Sequence, residues 1–222
     1  MTRGATADHE TISELTTARL SVYLRCLSYL ESVNQRTISS RELADRFHLN
    51  SAQIRKDLAF FGEFGTRGVG YDVVKLKEQL VRTLGIDRTR KIVIAGAGNL
   101  GMALADYRGF NSNGFHIVAM FDVDAQRIGR MSRSGIPVLP ATDLRRVVRS
   151  ESVEIAIIAV SGENAQNVYD ELADAGVSAV LNFAAVQIRM RRGVKVKSVD
   201  LRINLESLAY YLKNVEDGVG SG

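Results

Sequence analysis

Cysteine is almost missing: Cys26 stands alone among 222 residues, which excludes an intrachain disulfide and any cysteine-based zinc cluster. Its place in the apolar pattern RLSVYLRCLSYL predicts a buried thiol rather than a reactive one, and implies a reducing compartment. No apolar run reaches transmembrane length. The opening MTRGATADHE is polar and lacks the apolar core of a signal peptide, so a cytoplasmic location and no membrane partner are expected. Charge of one sign is scarce as well: 29 Lys and Arg against 25 Asp and Glu leave +4, too little to establish a polyanionic partner. There are three histidines, and neither an internal repeat nor a low-complexity tract. With 45% hydrophobic residues, the chain can bury a sizeable core as one large domain or two small ones.

The segment SAQIRKDLAFFGEFGTRGVGY, residues 51–71, places adjacent cations on a short amphipathic helix and follows it with a glycine-studded hairpin. Upstream, Ser39 and Glu42 have the spacing of a reciprocal capping box, and Asn50 offers the next N-cap. HLN between them is a tight turn, the layout of a helix-turn-helix. Leu43, Phe47, Ile54 and Leu58 would form its buried side. On the other side Gln53, Arg55 and Lys56 carry the groups that pair with base edges and phosphates, and Ser51 suits a phosphate oxygen. Gly62, Gly65, Gly68 and Gly70 let the hairpin approach a sugar-phosphate surface, and Arg67 at its tip suits a narrow minor groove. The plainer alternative makes Arg55, Lys56 and Asp57 a solvated face and the glycines an ordinary loop. Residues 36–82 hold nine Lys or Arg against six Asp or Glu, a basic excess that leans toward double-stranded DNA as partner.

A second motif lies in KIVIAGAGNLGMALADYRGF, residues 91–110. A β-branched strand runs into Gly96, Gly98 and Gly101, the G-x-G-x-x-G spacing, and then into a helical pattern. The first glycine makes the turn, the second lets a pyrophosphate approach the backbone, and the third lets helix and strand pack closely. The next strand, FHIVAMFD, ends in Asp122, twenty-one residues beyond Gly101, where an acid accepts the ribose hydroxyls of NAD and repels the extra phosphate of NADP. VEIAIIAV (153–160), a helix from Glu163 to Ala175, and SAVLNF continue the strand and helix alternation of a parallel sheet. Signals near Pro137 and Val138 and at VKVKSVD (194–200) bring the expected strands to about six.

Together with ALADYRGF, FDVDAQRIGR, LNFA and a terminal VDL before a helix, these motifs make the chain similar, over nearly its whole length, to the Rex family of redox-sensing transcriptional repressors. The resemblance implies an α/β fold: an N-terminal winged helix-turn-helix domain over 1–86, a Rossmann-like parallel sheet domain over 87–200, and a C-terminal domain-swapped helix and tail over 201–222. It implies a homodimer whose swapped helix covers about Asn204 to Asn214. It also implies NADH and NAD as cofactors, with no metal. The contacts it assigns are Gly96, Ala97, Gly98, Asn99, Leu100 and Gly101 in the loop, Asp122 and Val123, Val160 and Ser161, and Asn182, Phe183 and Ala184 in LNFA. Arg67 and Gly68 join the helix residues at the DNA. Tyr107 resembles a tyrosine near the nicotinamide, Arg25 an arginine facing the Rossmann domain, and Asp200 an aspartate linking them. Two positions depart from the pattern: Ala185 where many relatives have proline, and Leu201 where some have phenylalanine. Both put the degree of NADH over NAD discrimination in question.

The expected activity is repression that follows the NADH to NAD ratio: operator binding when NADH is low, and release when NADH drives dimer closure. Oxidised nicotinamide carries a positive charge that the reduced ring lacks, so an Asp, Tyr and Arg cluster beside it pairs differently in the two states. The rival reading is an NAD-dependent oxidoreductase with a helical appendage. It needs a catalytic acid or base, yet His116 falls inside a strand and His9 and His48 lie far upstream. A further alternative keeps the DNA reader and replaces NADH by another adenine-containing ligand.

Overall fold

Capping chemistry sets where the first helices begin. In the computed structural model, which describes residues 13–60, 65–66, 70–111 and 114–216, helix α1 (Glu14–Ser32) starts at Ser13, whose side chain accepts the Thr16 amide. Leu20, Tyr23, Leu27 and Leu30 recur along its buried stripe. A short strand β1 (Thr37–Ile38) leads to α2 (Ser40–Phe47), where the Ser39 and Glu42 capping box forms in both directions. The turn predicted at HLN is made by His48, which closes α2 in the left-handed region at φ 52°. Asn50 then caps α3 (Ser51–Ala59) by accepting the Gln53 amide. Strands β2 (Gly65–Thr66) and β3 (Gly70–Asp72) follow, and Asp72 caps α4 (Val73–Thr83).

β1, β3 and β2 form a three-stranded antiparallel sheet in that order. Leu20, Leu27, Leu30, Ile38, Leu43, Ile54, Leu58, Leu76 and Leu80 make the core beneath it. Cys26 belongs to the same core, and burial pushes its thiol pKa up, as the apolar setting predicts. Phe47 only packs against the edge of that core. Four helices with a small antiparallel wing are thus present among the described residues; Gly62, Arg67 and Gly68 lie outside the described residues.

The chain divides into Met1–Arg88 and Thr89–Gly222. The second unit holds β4 (Arg90–Ala95), α5 (Asn99–Ala105), α6 (Arg108–Asn111), β5 (Phe115–Asp122), β6 (Val138–Pro140), α7 (Leu144–Ser150), β7 (Ile155–Ile158), α8 (Gly162–Ala175), β8 (Ala179–Asn182), β9 (Lys195–Ser198) and α9 (Leu201–Glu216). Its six strands are all parallel, in the order β6-β5-β4-β7-β8-β9. Renumbered within the unit this is 3-2-1-4-5-6, the doubly wound Rossmann order.

The strands read as near-continuous apolar runs because both faces are covered. Val93, Phe121, Ala156, Ile158 and Val180 face one core with Leu144, Tyr169 and Leu172. Ile92, Ile94, Ile117, Met120 and Ile157 face the other with Ala105. The order reverses between β4 and β7, so their carboxyl ends flank the crevice where such sheets bind ligands.

Candidate functional site

At that crevice β4 ends and Gly96 turns the chain at φ 102°, its amide donating to the Phe121 carbonyl at 2.7 Å. A Cβ on Gly96 would stand 2.4 Å from the Ala159 carbonyl oxygen. Ala97 donates its amide to Asp122 Oδ2 at 2.7 Å, and the Asp124 amide reaches Oδ1 at 2.9 Å. Arg127 Nη1 adds a third bond to Oδ2 at 3.1 Å. Burial pushes the Asp122 carboxyl up, but the two amides and Arg127 outweigh it and hold the group below the ordinary aspartate range. Asp122 is therefore an ionised acceptor at neutral pH, placed under the glycine loop by β5.

A cleft of about 390 Å³ opens here, bounded by Gly96, Gly98, Asp122, Val123, Val160 and Ser161 among others. Ala97, Gly98 and Asn99 bound an adjoining hollow with Arg127 and Arg130. The other candidates lie elsewhere. Gly101 is buried in α5, and Tyr107 is 56% exposed beyond its end. Asn182 is fully buried and its amide is used inside the chain: Oδ1 accepts the Ala184 amide, and Nδ2 donates to the Val186 carbonyl and Ser198 Oγ. It shapes the Phe183–Val186 turn rather than facing the cleft. Arg127, Asn164 and Asn167 line the cleft without having been singled out from sequence. Arg127 carries the one legible signal, an arginine five residues after Asp122. No histidine bounds this cleft; His116 borders a separate hollow with Thr89 and Ser134.

In the other unit, α3 exposes Ala52, Arg55, Lys56 and Ala59, while Ser51 and Gln53 are half-buried. Arg55 Nη1 donates to Ser40 Oγ at 3.1 Å, tying α3 to the start of α2. Asp57 does not belong to the solvated face. It is 3% exposed and takes two bonds from the Arg19 guanidinium, at 2.6 and 2.7 Å, one from the Tyr23 hydroxyl and one from Gln53. Burial pushes its carboxyl up, yet the donors hold it below the usual range, so it is charged and bolts α1 to α3. Asp57→Ala, which strands the Tyr23 hydroxyl and the Arg19 charge, is expected to cost about 2–4 kcal/mol in denaturant unfolding. A depressed folded pKa contributes stability above the unfolded value near about 3.9 and loses it as pH falls through the folded value. The gap between wild type and variant should therefore close in acid.

Comparison with known proteins places both halves. Residues 87–186 match the family model "CoA binding domain", and residues 11–59 match "Putative DNA-binding protein N-terminus". The redox-sensing transcriptional repressor Rex of Carboxydothermus hydrogenoformans is 48% identical over 202 residues, covering 91% of this chain and 97% of that protein. Its namesake in Brevibacillus brevis is 41% identical, covering 93% and 99%. The chain belongs to the Rex family. Among solved structures, RSP in complex with beta-NAD+ and operator DNA has a TM-score of 0.87 at 34% identity, covering 93% of this chain and 94% of that one. RSP in complex with beta-NADH gives 0.83 at 32% identity, covering 93% and 96%. The Rex relatives are named as repressors, and this chain is a regulator rather than an enzyme.

Of the residues that the Rex resemblance singles out for coupling, Arg25 is exposed on α1, in the first unit. Tyr107 and Asp200 belong to the second. Asp200 precedes α9 and accepts the backbone amide of Arg202 at 2.9 Å and its guanidinium at 2.8 and 3.1 Å; that guanidinium holds its carboxyl below the usual range. The Tyr107 ring meets Phe110 edge-on at 5.0 Å and lies across Gly109, where a Cβ would come within 2.4 Å of it. Of the two positions that depart from the Rex pattern, Ala185 is exposed in the turn after β8, and Leu201 opens α9 at 63% exposure.

Proposed function

We propose that this Rex-family repressor acts as a homodimer that holds operator DNA with α3 and the β2–β3 hairpin while NADH is scarce, and lets go when NADH fills the cleft under the glycine loop. The observation that carries the reading is Asp122, ionised beneath the Gly96–Gly101 turn, in one chain with a capped helix-turn-helix. NAD takes the same cleft without driving closure.

The Asp122 carboxylate suits the adenosine ribose hydroxyls, and the loop amides suit the pyrophosphate. Val123, Val160 and Ser161 line the walls. Leu100, Gly101, Asn182, Phe183 and Ala184 shape the loops around it, and Tyr107 stands toward the nicotinamide. Ser51, Gln53, Arg55 and Lys56, with Arg67 and Gly68 of the hairpin, serve the DNA.

Two identical readers spaced about 34 Å apart would match a pseudo-palindromic operator. α9 supports the swapped dimer, since Leu201, Ile203, Leu205, Leu208, Tyr210, Tyr211 and Leu212 are all 59–66% exposed, an apolar surface that a partner subunit would cover. A cytoplasmic location and the lack of a metal are carried over from the Rex resemblance; among the described residues, no helix is long and apolar enough to cross a membrane.

Asp122→Ala is expected to weaken NADH and NAD by about tenfold or more, since a charge-assisted bond contributes about 1.5–3 kcal/mol, and to leave operator affinity unchanged without dinucleotide. Arg55→Ala should do the reverse, lowering operator affinity and reducing the salt slope by about 1, with NADH titration unaffected. Should either folded variant lose both activities, the division of labour between the two units is wrong.

A further inference from the structure

We propose that Asp57 is a positioning residue for base recognition: it holds the Gln53 carboxamide in one orientation, so that the reader presents a carbonyl oxygen and a single N–H in a defined order. This rests on the reading of Gln53 as a residue that faces the major groove. It adds a part that lies wholly inside the protein and would touch no base.

An ionised carboxylate accepts hydrogen bonds and cannot donate them. Asp57 Oδ1 accepts Arg19 Nη2 at 2.7 Å and Gln53 Nε2 at 2.7 Å. Its Oδ2 accepts Arg19 Nε at 2.6 Å and the Tyr23 hydroxyl at 2.9 Å. Only the nitrogen of the Gln53 amide can face such a partner; the flipped amide would set two acceptors against each other. Arg19 and Tyr23 occupy the remaining lone pairs and keep the carboxylate from turning away.

Gln53 is also held at its backbone, because its amide donates to Asn50 Oδ1 at 2.9 Å. It sits in the first turn of α3, the part of a recognition helix that reaches base edges. One N–H of its side chain is committed inward, leaving Oε1 and the second N–H for the groove. Adenine offers the matching pair, an N6 donor beside the N7 acceptor; guanine offers two acceptors, O6 and N7, and meets Oε1 with the wrong sign. A glutamine free to flip could turn its nitrogen toward O6 and accept guanine. Asp57 thus acts against guanine, a selectivity obtained by making one competing geometry unfavourable.

The test is selection from a random duplex pool, at fixed salt, by the full-length protein, Gln53→Ala, Asp57→Asn and the double variant. Wild type is expected to prefer A·T over G·C by about tenfold or more at one position of each half-site. Gln53→Ala should flatten that position alone. Asp57→Asn, whose own amide can present either an oxygen or a nitrogen to Gln53, should bring G·C to near parity there while the salt slope is kept. The double variant should match Gln53→Ala.

A profile unchanged in Gln53→Ala would sink the reading of Gln53 itself. A flattened Gln53→Ala beside an Asp57→Asn that still rejects guanine would overturn the positioning role while sparing that reading. Where Asp57→Asn does not fold, the side-chain amide signals of Gln53 in the wild-type protein decide. Two inequivalent protons, one protected from exchange, are expected; two protons exchanging as in a free glutamine would overturn the proposal.

Discussion

Gly101→Ala should abolish dinucleotide binding and lower the stability of the second unit by about 3 kcal/mol or more, beyond ordinary overpacking. The added Cβ would stand 1.9 Å from the Gly96 carbonyl oxygen and 2.9 Å from its carbon. Both are backbone atoms of the turn proposed to hold the phosphates, so no side chain can swing aside to relieve the contact. Either α5 moves off the sheet or the turn opens, and each removes the Ala97 amide from Asp122. Gly98→Ala provides the contrast. Its Cβ would meet only Arg127 Nη1, at 3.9 Å, so the fold should keep its melting temperature while the methyl intrudes on the pyrophosphate. Thermal unfolding and an NADH fluorescence titration on both variants separate the two roles. A Gly101→Ala protein that melts like wild type and binds NADH would show that close helix and strand packing at this loop is dispensable.

How much of this could be read beforehand depends on the range of the interaction. The capping box at Ser39 and Glu42, the Asn50 cap and the glycine loop are local patterns, and each formed as its spacing predicts. The alternation of strands with helices announced a parallel sheet, and the six strands pair in parallel throughout. Asp57 is different. As one of three adjacent charges it reads as solvated, yet it falls three residues after Ile54 and one before Leu58, on the buried stripe of α3. That periodicity was available; the partners that make burial tolerable, Arg19 and Tyr23, lie 38 and 34 residues away and carry no local signal. Asn182, which only the Rex resemblance singled out, ends β8 with its amide engaged by Ala184, Val186 and Ser198, and those partners carry no signal in the local sequence pattern. Arg127 was within reach, lying in the turn that follows Asp122 at the end of β5.

NADH and operator are expected to weaken each other by one common factor. Reciprocity is a thermodynamic necessity for two ligands of one protein, whatever the path between their sites. Coupling of about 1–3 kcal/mol corresponds to a 5- to 150-fold change in each affinity, and NAD should give a factor near one. Tyr107→Phe probes the origin of the factor. The ring is placed by Gly109 beneath it and Phe110 at its edge, so phenylalanine should keep the position and lose only the hydroxyl. If that hydroxyl distinguishes the charged from the neutral nicotinamide, both factors should shrink together while the affinity for NAD, which the proposed site holds mainly at its Asp122 end, stays within about twofold, the scale of a few tenths of a kcal/mol. Gly109→Ala should give a similar decoupling by displacing the ring. The measurement is NADH affinity with and without operator duplex, set against operator affinity with and without NADH. Unequal factors would mean that a further process, such as a change of assembly state, accompanies binding; equal factors unchanged by Tyr107→Phe would move the switch away from this hydroxyl, toward Arg25 on α1 and Asp200 just before α9.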